Sequence, residues 1–343
     1  LVEIQTIDSP ELNKFNDTNG FYPDWLESAQ ETLVFAGSGY CSLRWNEANE
    51  DEAKKLIEKP TEIIKHILDK EMIESSAVLD EEKYSNAFLS DMDNKFAFSI
   101  SETENSKDIL EKICEQSRLM FRYRPRDGVA ILDTIKDIYS DDDVDFTIKS
   151  NNMLKYSFTK SKIEDLCIGG CRVKYEYDYG KEDLVKTTED MILTNLNEYK
   201  NYYGIEDESN YELEIETPYI QDEATALKFR DFMFYQHKNQ HLIVKFTMSV
   251  RDAIQLEVGD IIDFDYNPND VKPYGKDITE EYVILEDQRV YPYFMITNIS
   301  KNLNKIDIEC YQLHELTPYI PRATQEKEKI KEIPRPEATG DIA

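Results

Sequence analysis

The stretch 291-YPYFMITNISKNLNKIDIECYQL-313 decides the fold class, because it contains two apolar-rich runs separated by a short polar break. Residues 291–299 and 305–313 each have the length and the aromatic and β-branched content of a strand. Three further short runs precede this pair, at 242–250, 260–266 and 282–285. Short strands at turn-separated intervals favour an antiparallel barrel or sandwich over a parallel sheet.

The strand-rich character extends upstream of these runs. Alternating residues predict strands at Tyr156–Phe158, Cys171–Tyr177 and Leu213–Glu216. One helix interrupts them at 222–238, with Asp222 as its cap. We therefore expect a mostly antiparallel β-barrel with one inserted helix.

A different pattern comes before the barrel. The periodicity predicts a buried helix over 60–72, and the alternation at Phe96–Ile100 predicts a half-buried strand. Ser106 then caps a second helix, and two strands follow at 118–124 and 129–135. This order is typical of a small α+β layer with helices on one face of an antiparallel sheet.

The fold class is therefore α+β with mostly antiparallel β structure. We expect four regions in chain order: a connecting or partial N-terminal region at 1–50, the α+β domain at 51–140, the barrel-rich domain at 141–321, and a charged flexible tail at 322–343. Leu1 stands where an initiator Met is expected, so we also expect that an upstream piece is missing or separately processed.

The composition excludes several functions. The chain has 70 acidic and 40 basic residues, for a net charge of −30. Binding to nucleic acid or to an anionic membrane needs a dense basic face, but the arginine cluster at 118–126 is one short strand. No apolar run approaches the ~20 residues of a membrane helix. Five cysteines, an odd and sparse set, favour a reducing compartment and free thiols.

Candidate metal ligands are incomplete. Asp141, Asp143 and Asp145 copy the first half of a calcium loop. Phe146 stands where the sharp turn demands glycine, and Asn152 stands where a bidentate Glu is needed. The sequence therefore predicts no calcium site.

The cysteines and histidines are interpreted as structural. Cys167 and Cys171 are one residue too far apart for a redox pair, so we expect a turn between strands where serine substitutions are silent. His237 and His241 lie at a helix C-terminus, where a cation is favoured, and lack the HExxH pattern. We predict no catalytic, cofactor-binding or metal-ligating residue, and no enzyme activity.

One turn stands out instead. Gly259 and Asp260 precede the apolar run that begins at Ile261. Glycine there supplies a backbone conformation that a side chain disfavours. We predict that Gly259 and Asp260 form a strand-entry turn.

The order of five stretches along the chain is informative. They are 59-KPTEII-64, 216-ETPYIQDEATA-226, 256-LEVGDII-262, 293-YFMITNIS-300 and 306-IDIECY-311. A strand leads into an Asp-x-x-x-Ala helix, then come a strand, a Gly-Asp turn and a closing strand pair. This order resembles that of the hub proteins of phage tails. That family normally opens with a barrel of its own, which residues 1–50 are too short and irregular to supply.

The resemblance implies a structural hub at the distal end of a phage tail. Such a hub is a homotrimeric ring that joins the tail tube protein to other baseplate or tail-tip proteins. Genomic DNA passes through its channel without specific binding, and no cofactor is needed. The implied location is the virion tail, after assembly in the host cytoplasm.

Two other functions stay open. A carboxylate-pair hydrolase needs two acids held ~5–9.5 Å apart in a cleft, and a cell-surface binding module suits tyrosine-rich strands and acidity. For a hub, the acidic charge either lines the channel or keeps the protein soluble.

Overall fold

The computed structural model describes residues 57–320 apart from 72–77, 92, 101–103, 125–127, 150–151, 269–271 and 273–274. The predictions for 1–50 and 322–343 lie outside the described residues. The described chain forms two compact units, and each unit is built from three separate stretches of the chain. The first unit contains 57–136, 162–240 and 257–259, and the second contains 137–161, 241–256 and 260–320.

The helices and strands are numbered in chain order. The α-helices are α1 (Pro60–His66), α2 (Glu81–Ser90), α3 (Ser106–Glu115), α4 (Leu196–Tyr203), α5 (Glu223–His237) and α6 (Val250–Ala253). The strands are β1 (Val78–Leu79), β2 (Leu119–Arg124), β3 (Val129–Thr134), β4 (Phe146–Ile148), β5 (Met153–Lys160), β6 (Gly170–Asp178), β7 (Asp183–Thr187), β8 (Glu212–Glu216), β9 (Leu242–Met248), β10 (Ile261–Phe264), β11 (Tyr282–Ile284), β12 (Gln288–Lys301) and β13 (Ile306–His314).

A helix-and-sheet layer opens the first unit. Strand β3 pairs with β2 in an antiparallel ladder and with β1 in a parallel one. Helix α3 buries Ile109, Leu110 and Ile113 on one face, as the periodicity predicted. Its cap is Asn105, one residue before the predicted one. Helix α1 begins at Pro60 and continues as a π-helix over Ile67–Glu71.

The predicted strand at 96–100 is an extended segment without a ladder. Phe96 forms one isolated bridge. Its N–H donates to the carbonyl of Glu58, and the N–H of Ala97 donates to that of Tyr219. The alternating burial is as predicted, but the backbone partners come from separate segments, so no continuous strand pairing forms.

A second sheet in the first unit has the order β7-β6-β8, and α5 packs against β6. Residues 162–240 therefore lie in the first unit. The four regions predicted from the sequence placed them in the barrel-rich domain at 141–321. The physical reason is that β6 buries Cys171, Val173 and Tyr175, and helix α5 covers this sheet instead of the barrel. Alternation predicts a strand but does not say which sheet it joins.

The predicted turn at Cys167–Cys171 is present, because the N–H of Gly170 donates to the carbonyl of Cys167 at 3.3 Å. The thiols of Cys167 and Cys171 belong to the core of the first unit. Both residues are fully buried. Their thiols donate to the carbonyls of Phe234 and Arg230, one turn apart on α5. Burial raises the pKa of Cys171 to about 12, so this thiol stays protonated.

The second unit is one curled half-barrel sheet with the strand order β4-β10-β12-β13-β9-β5, and β11 pairs with β12. Its ladders are antiparallel except for that between β4 and β10. The predicted fold class, α+β with mostly antiparallel strands, is confirmed. The inner face is filled by a continuous apolar core that includes Ile148, Phe246, Phe264, Phe294 and Ile308.

A buried polar cluster lies where β13 ends. His314 is 1 % exposed and its ring stacks on that of His241, with 3.9 Å between the centroids. The Nδ1 atom of His241 lies 2.7 Å from the carbonyl oxygen of Gln312. Beside them, the Arg289 guanidinium lies 3.6 Å from the Glu315 carboxylate. Burial and the neighbouring His241 hold the pKa of His314 well below its ordinary value of 6.5.

We predict that His314 makes the protein sensitive to acid. His314 stays neutral in the folded state, whereas the same histidine in the unfolded chain takes up a proton as pH falls below ~6.5. Low pH therefore favours the unfolded state. The stability that neutral His314 allows is complete above pH ~7, and up to ~2 kcal/mol of the free energy of unfolding is lost at pH 5. The free energy of unfolding should therefore fall less between pH 7 and pH 5 in His314→Gln than in the natural chain. Subtracting the two curves removes the opposite effect of Glu315, whose pKa burial raises. Equal slopes would contradict the prediction.

We also predict that Gly259 cannot be replaced without loss of stability. Gly259 has φ +87°, and a Cβ there would lie 2.5 Å from Nη1 of Arg122. Gly259→Val should lower the free energy of unfolding by ~1–3 kcal/mol. Gly204 is the control, because it has φ +69° and open space around it. Gly204→Val should lower the free energy of unfolding less than Gly259→Val does. An unchanged melting temperature for Gly259→Val would contradict the predicted strand-entry turn.

Candidate assembly surface

The strands at the centre of the curled sheet have two different faces. Along β9, Val244, Phe246 and Met248 are buried while Lys245 is exposed. Along β13, Ile306 and Ile308 are buried, and polar residues alternate with them. Period-two alternation puts one set on the core and the other on solvent.

The solvent-side residues of four neighbouring strands form two rows. In the first row, the ladders bring together Ser157, Lys245, Glu309 and Asn298; in the second, Lys155, Thr247, Asp307 and Ser300. We call these eight residues the polar face. Together with Lys305 they line a shallow groove of about 280 Å³.

Ion pairs and hydrogen bonds order the polar face. The Nζ atom of Lys245 lies 3.1 Å from the Glu309 carboxylate, and that of Lys305 lies 2.7 Å from the Asp307 carboxylate. The Thr247 hydroxyl also donates to Asp307, at 2.7 Å. Lys305 and Thr247 hold the pKa of Asp307 below its usual range. Exposed pairs of this kind contribute ~0–1 kcal/mol to stability, so they orient side chains more than they hold the fold.

An ordered array of paired charges suits recognition of another protein surface, because charge complementarity fixes register and orientation. The part of the chain that the structure describes brings no three His, Cys, Asp or Glu side chains together as a metal site. None of its helices is long and apolar enough to cross a membrane.

The acidic segment of the incomplete calcium loop has a structural use. The Tyr293 hydroxyl donates to Asp141 at 2.6 Å, and the N–H of Ile261 donates to Asp145 at 2.9 Å. These bonds attach the segment before β4 to β12 and β10. Both carboxylates therefore have protein partners.

The predicted arginine cluster is also engaged within its own unit. The Arg118 guanidinium lies over the Phe232 ring, 4.8 Å from its centroid. Arg124 lies 3.7 Å from the Asp80 carboxylate. These two arginines therefore support the first unit.

Gly259 and Asp260, the residues singled out from the sequence, immediately precede β10 and are not part of the polar face. The carbonyl of Asp260 accepts a hydrogen bond from the N–H of Ile296 at 2.9 Å, next to the ladder between β10 and β12. Sequence reasoning missed the polar face. The alternation of Lys245 with apolar residues indicates that one face of β9 is exposed to solvent. The sequence does not show which residues of neighbouring strands lie beside Lys245, because that depends on strand register.

Comparisons with known proteins give similarities of structure. No family model and no curated protein sequence matches the chain. The 43 kDa tail protein of prophage MuSo2 from Shewanella oneidensis is 9 % identical, with a TM-score of 0.40, over 75 % of this chain and 66 % of that one. A chain in the virion of a native gene transfer agent is 13 % identical, with a TM-score of 0.39, over 64 % and 42 %. A tail protein from Neisseria meningitidis is 11 % identical, with a TM-score of 0.35, over 62 % and 56 %. The matched region thus spans 42 to 66 % of these three chains.

Proposed function

We propose that this chain is a structural hub protein of a phage tail. In this proposal three copies form a ring at the distal end of the tail, between the tail tube protein and the tip or baseplate proteins. The observation that carries it is the order of elements behind the sequence resemblance. Helix α5, strand β9, the turn at Gly259 and Asp260, strand β10 and the β12–β13 pair follow one another as in that family, and all these strands lie in one sheet.

The packing of the half-barrel supports a ring. Its interior holds large side chains, among them Phe264, whose ring contacts those of Phe246 and Phe294 edge to face. A filled barrel is a core and not a pore. A channel for DNA must therefore lie between copies, which is what a ring of three provides.

The alternative functions find less support. A hydrolase needs a carboxyl group with a raised pKa beside a second carboxylate in a cleft. The groove holds Asp307 with a lowered pKa. The carboxyl groups whose pKa burial raises lie elsewhere and have structural partners: Asp91 accepts from the N–H of Thr61, and Glu315 lies beside Arg289. Tyrosine-rich strands and acidity suit a cell-surface binding module and a hub equally, and no feature of the described residues favours the module. The proposal places the protein in the virion tail, assembled in the host cytoplasm, and requires no cofactor.

The proposed ring predicts the mass of the purified full chain. Light scattering should give three times the chain mass of 40.2 kDa, and negative-stain images should show threefold rings with a central opening. A monomer at every concentration tested would contradict the proposal.

The proposed channel predicts weak interaction with DNA. Lysines or arginines facing the channel would release counterions from phosphates and retain the DNA, so we expect carboxylates there. Fluorescence anisotropy with labelled duplex DNA should show no binding at ~0.15 M salt, where screening acts over ~8 Å. Tight binding at that salt would contradict an open conduit but would leave the ring intact.

A further inference from the structure

Five large apolar side chains of the second unit are exposed, among them Leu154, Ile254 and Leu303; the other two are Ile138 and Ile320. Leu303 is 98 % exposed, Leu154 is 66 % exposed and Ile254 is 49 % exposed. Single exposed apolar residues are ordinary, whereas a group of them marks an interaction site. Their position in the sheet decides whether they form a group.

The strand register, together with one hydrogen bond, places Leu154, Ile254 and Leu303 at one end of the curled sheet. Met248 pairs with Met153 on one side and with Ile306 on the other, and Ile306 pairs with Lys301. Leu154 lies next to Met153, at an irregularity in the ladder. Four neighbouring strands at this level span ~15 Å.

The remaining two residues lie at the same level. Leu303 is in the turn between β12 and β13, two residues beyond Lys301. The Nζ atom of Lys301 donates to the carbonyl of Ile254 at 2.9 Å. We call Leu154, Ile254 and Leu303 the end patch.

The charge around the end patch is opposite to that of the whole chain. Four exposed cations surround it: Lys155, Arg251, Lys301 and Lys305. Two carboxylates lie among them. Asp252 accepts from the Ser249 hydroxyl, and Asp307 pairs with Lys305. The chain as a whole has a charge of −30.

We infer that the end patch docks on an acidic surface of a second copy of this chain. Each copy carries both the basic, apolar end and a large excess of carboxylates, so the charge complementarity is present in the chain itself. A contact between two unlike surfaces is heterologous, and such contacts form a closed ring when the rotation from one copy to the next divides a full turn evenly. The inference rests on the proposed ring and names the surface that forms it.

Two variants of the full chain test the inference. Leu303→Asp puts a charge into the centre of the contact, and Arg251→Glu reverses a charge at its rim. Each should weaken trimer formation at least ~10-fold in sedimentation equilibrium. The natural trimer should also dissociate more readily as salt increases, because the rim charges are screened.

Leu89→Ser is the matched control, because Leu89 is 64 % exposed on α2, in the first unit. Both test residues are exposed, so the far-UV circular dichroism spectra of both variants should match that of the control and show that the variants are folded. Loss of the trimer in both variants, with the control still trimeric, supports the inference. Variants that stay trimeric would overturn it and leave the ring standing. A natural chain that is monomeric would overturn both proposals.

Discussion

The short connection between β4 and β5 is the constraint on which the second unit depends. These two strands lie at opposite ends of the sheet order. In a flat sheet, five strand spacings would separate them by ~24 Å. The five Cα steps from Ile148 to Met153 cover at most ~18 Å. The sheet must therefore curl, which brings β4 at one edge close enough to β5 at the other for this short connection.

The two faces of the sheet follow from this curl. One face closes on itself and buries the apolar alternate residues of β9 and β13, while the other presents Lys245, Thr247, Asp307 and Glu309 to solvent. Because the interior is filled, a single copy offers no passage. Within the second unit, the polar face and the ends of the strands are exposed to solvent.

The sequence predicted those elements whose pattern depends on their own residues. Strands β9, β12 and β13 and helix α5 have clear alternation or a clear cap. Helix α2 was missed because its apolar stripe is short: it consists of Tyr84, Ala87 and Phe88, and only Ala87 is buried. The sheet that contains β6 was assigned to the barrel because alternation does not identify partners. The ion pair between Lys245 and Glu309 could not be predicted from the sequence either. These residues are 64 positions apart in the chain, and only the register between β9 and β13 brings them together.

Residue-resolved amide hydrogen exchange in the second unit tests the curled sheet most directly. The N–H of Asp145 donates to the carbonyl of Ile261 at 2.8 Å, and the N–H of Asp265 donates to that of Ile148 at 3.1 Å. These two bonds flank the ladder that attaches β4 to the sheet. We expect both amides to be protected to the same degree as those of β9 and β13. Exchange at both positions at the rate of an exposed loop, with β9 and β13 still protected, would contradict this expectation.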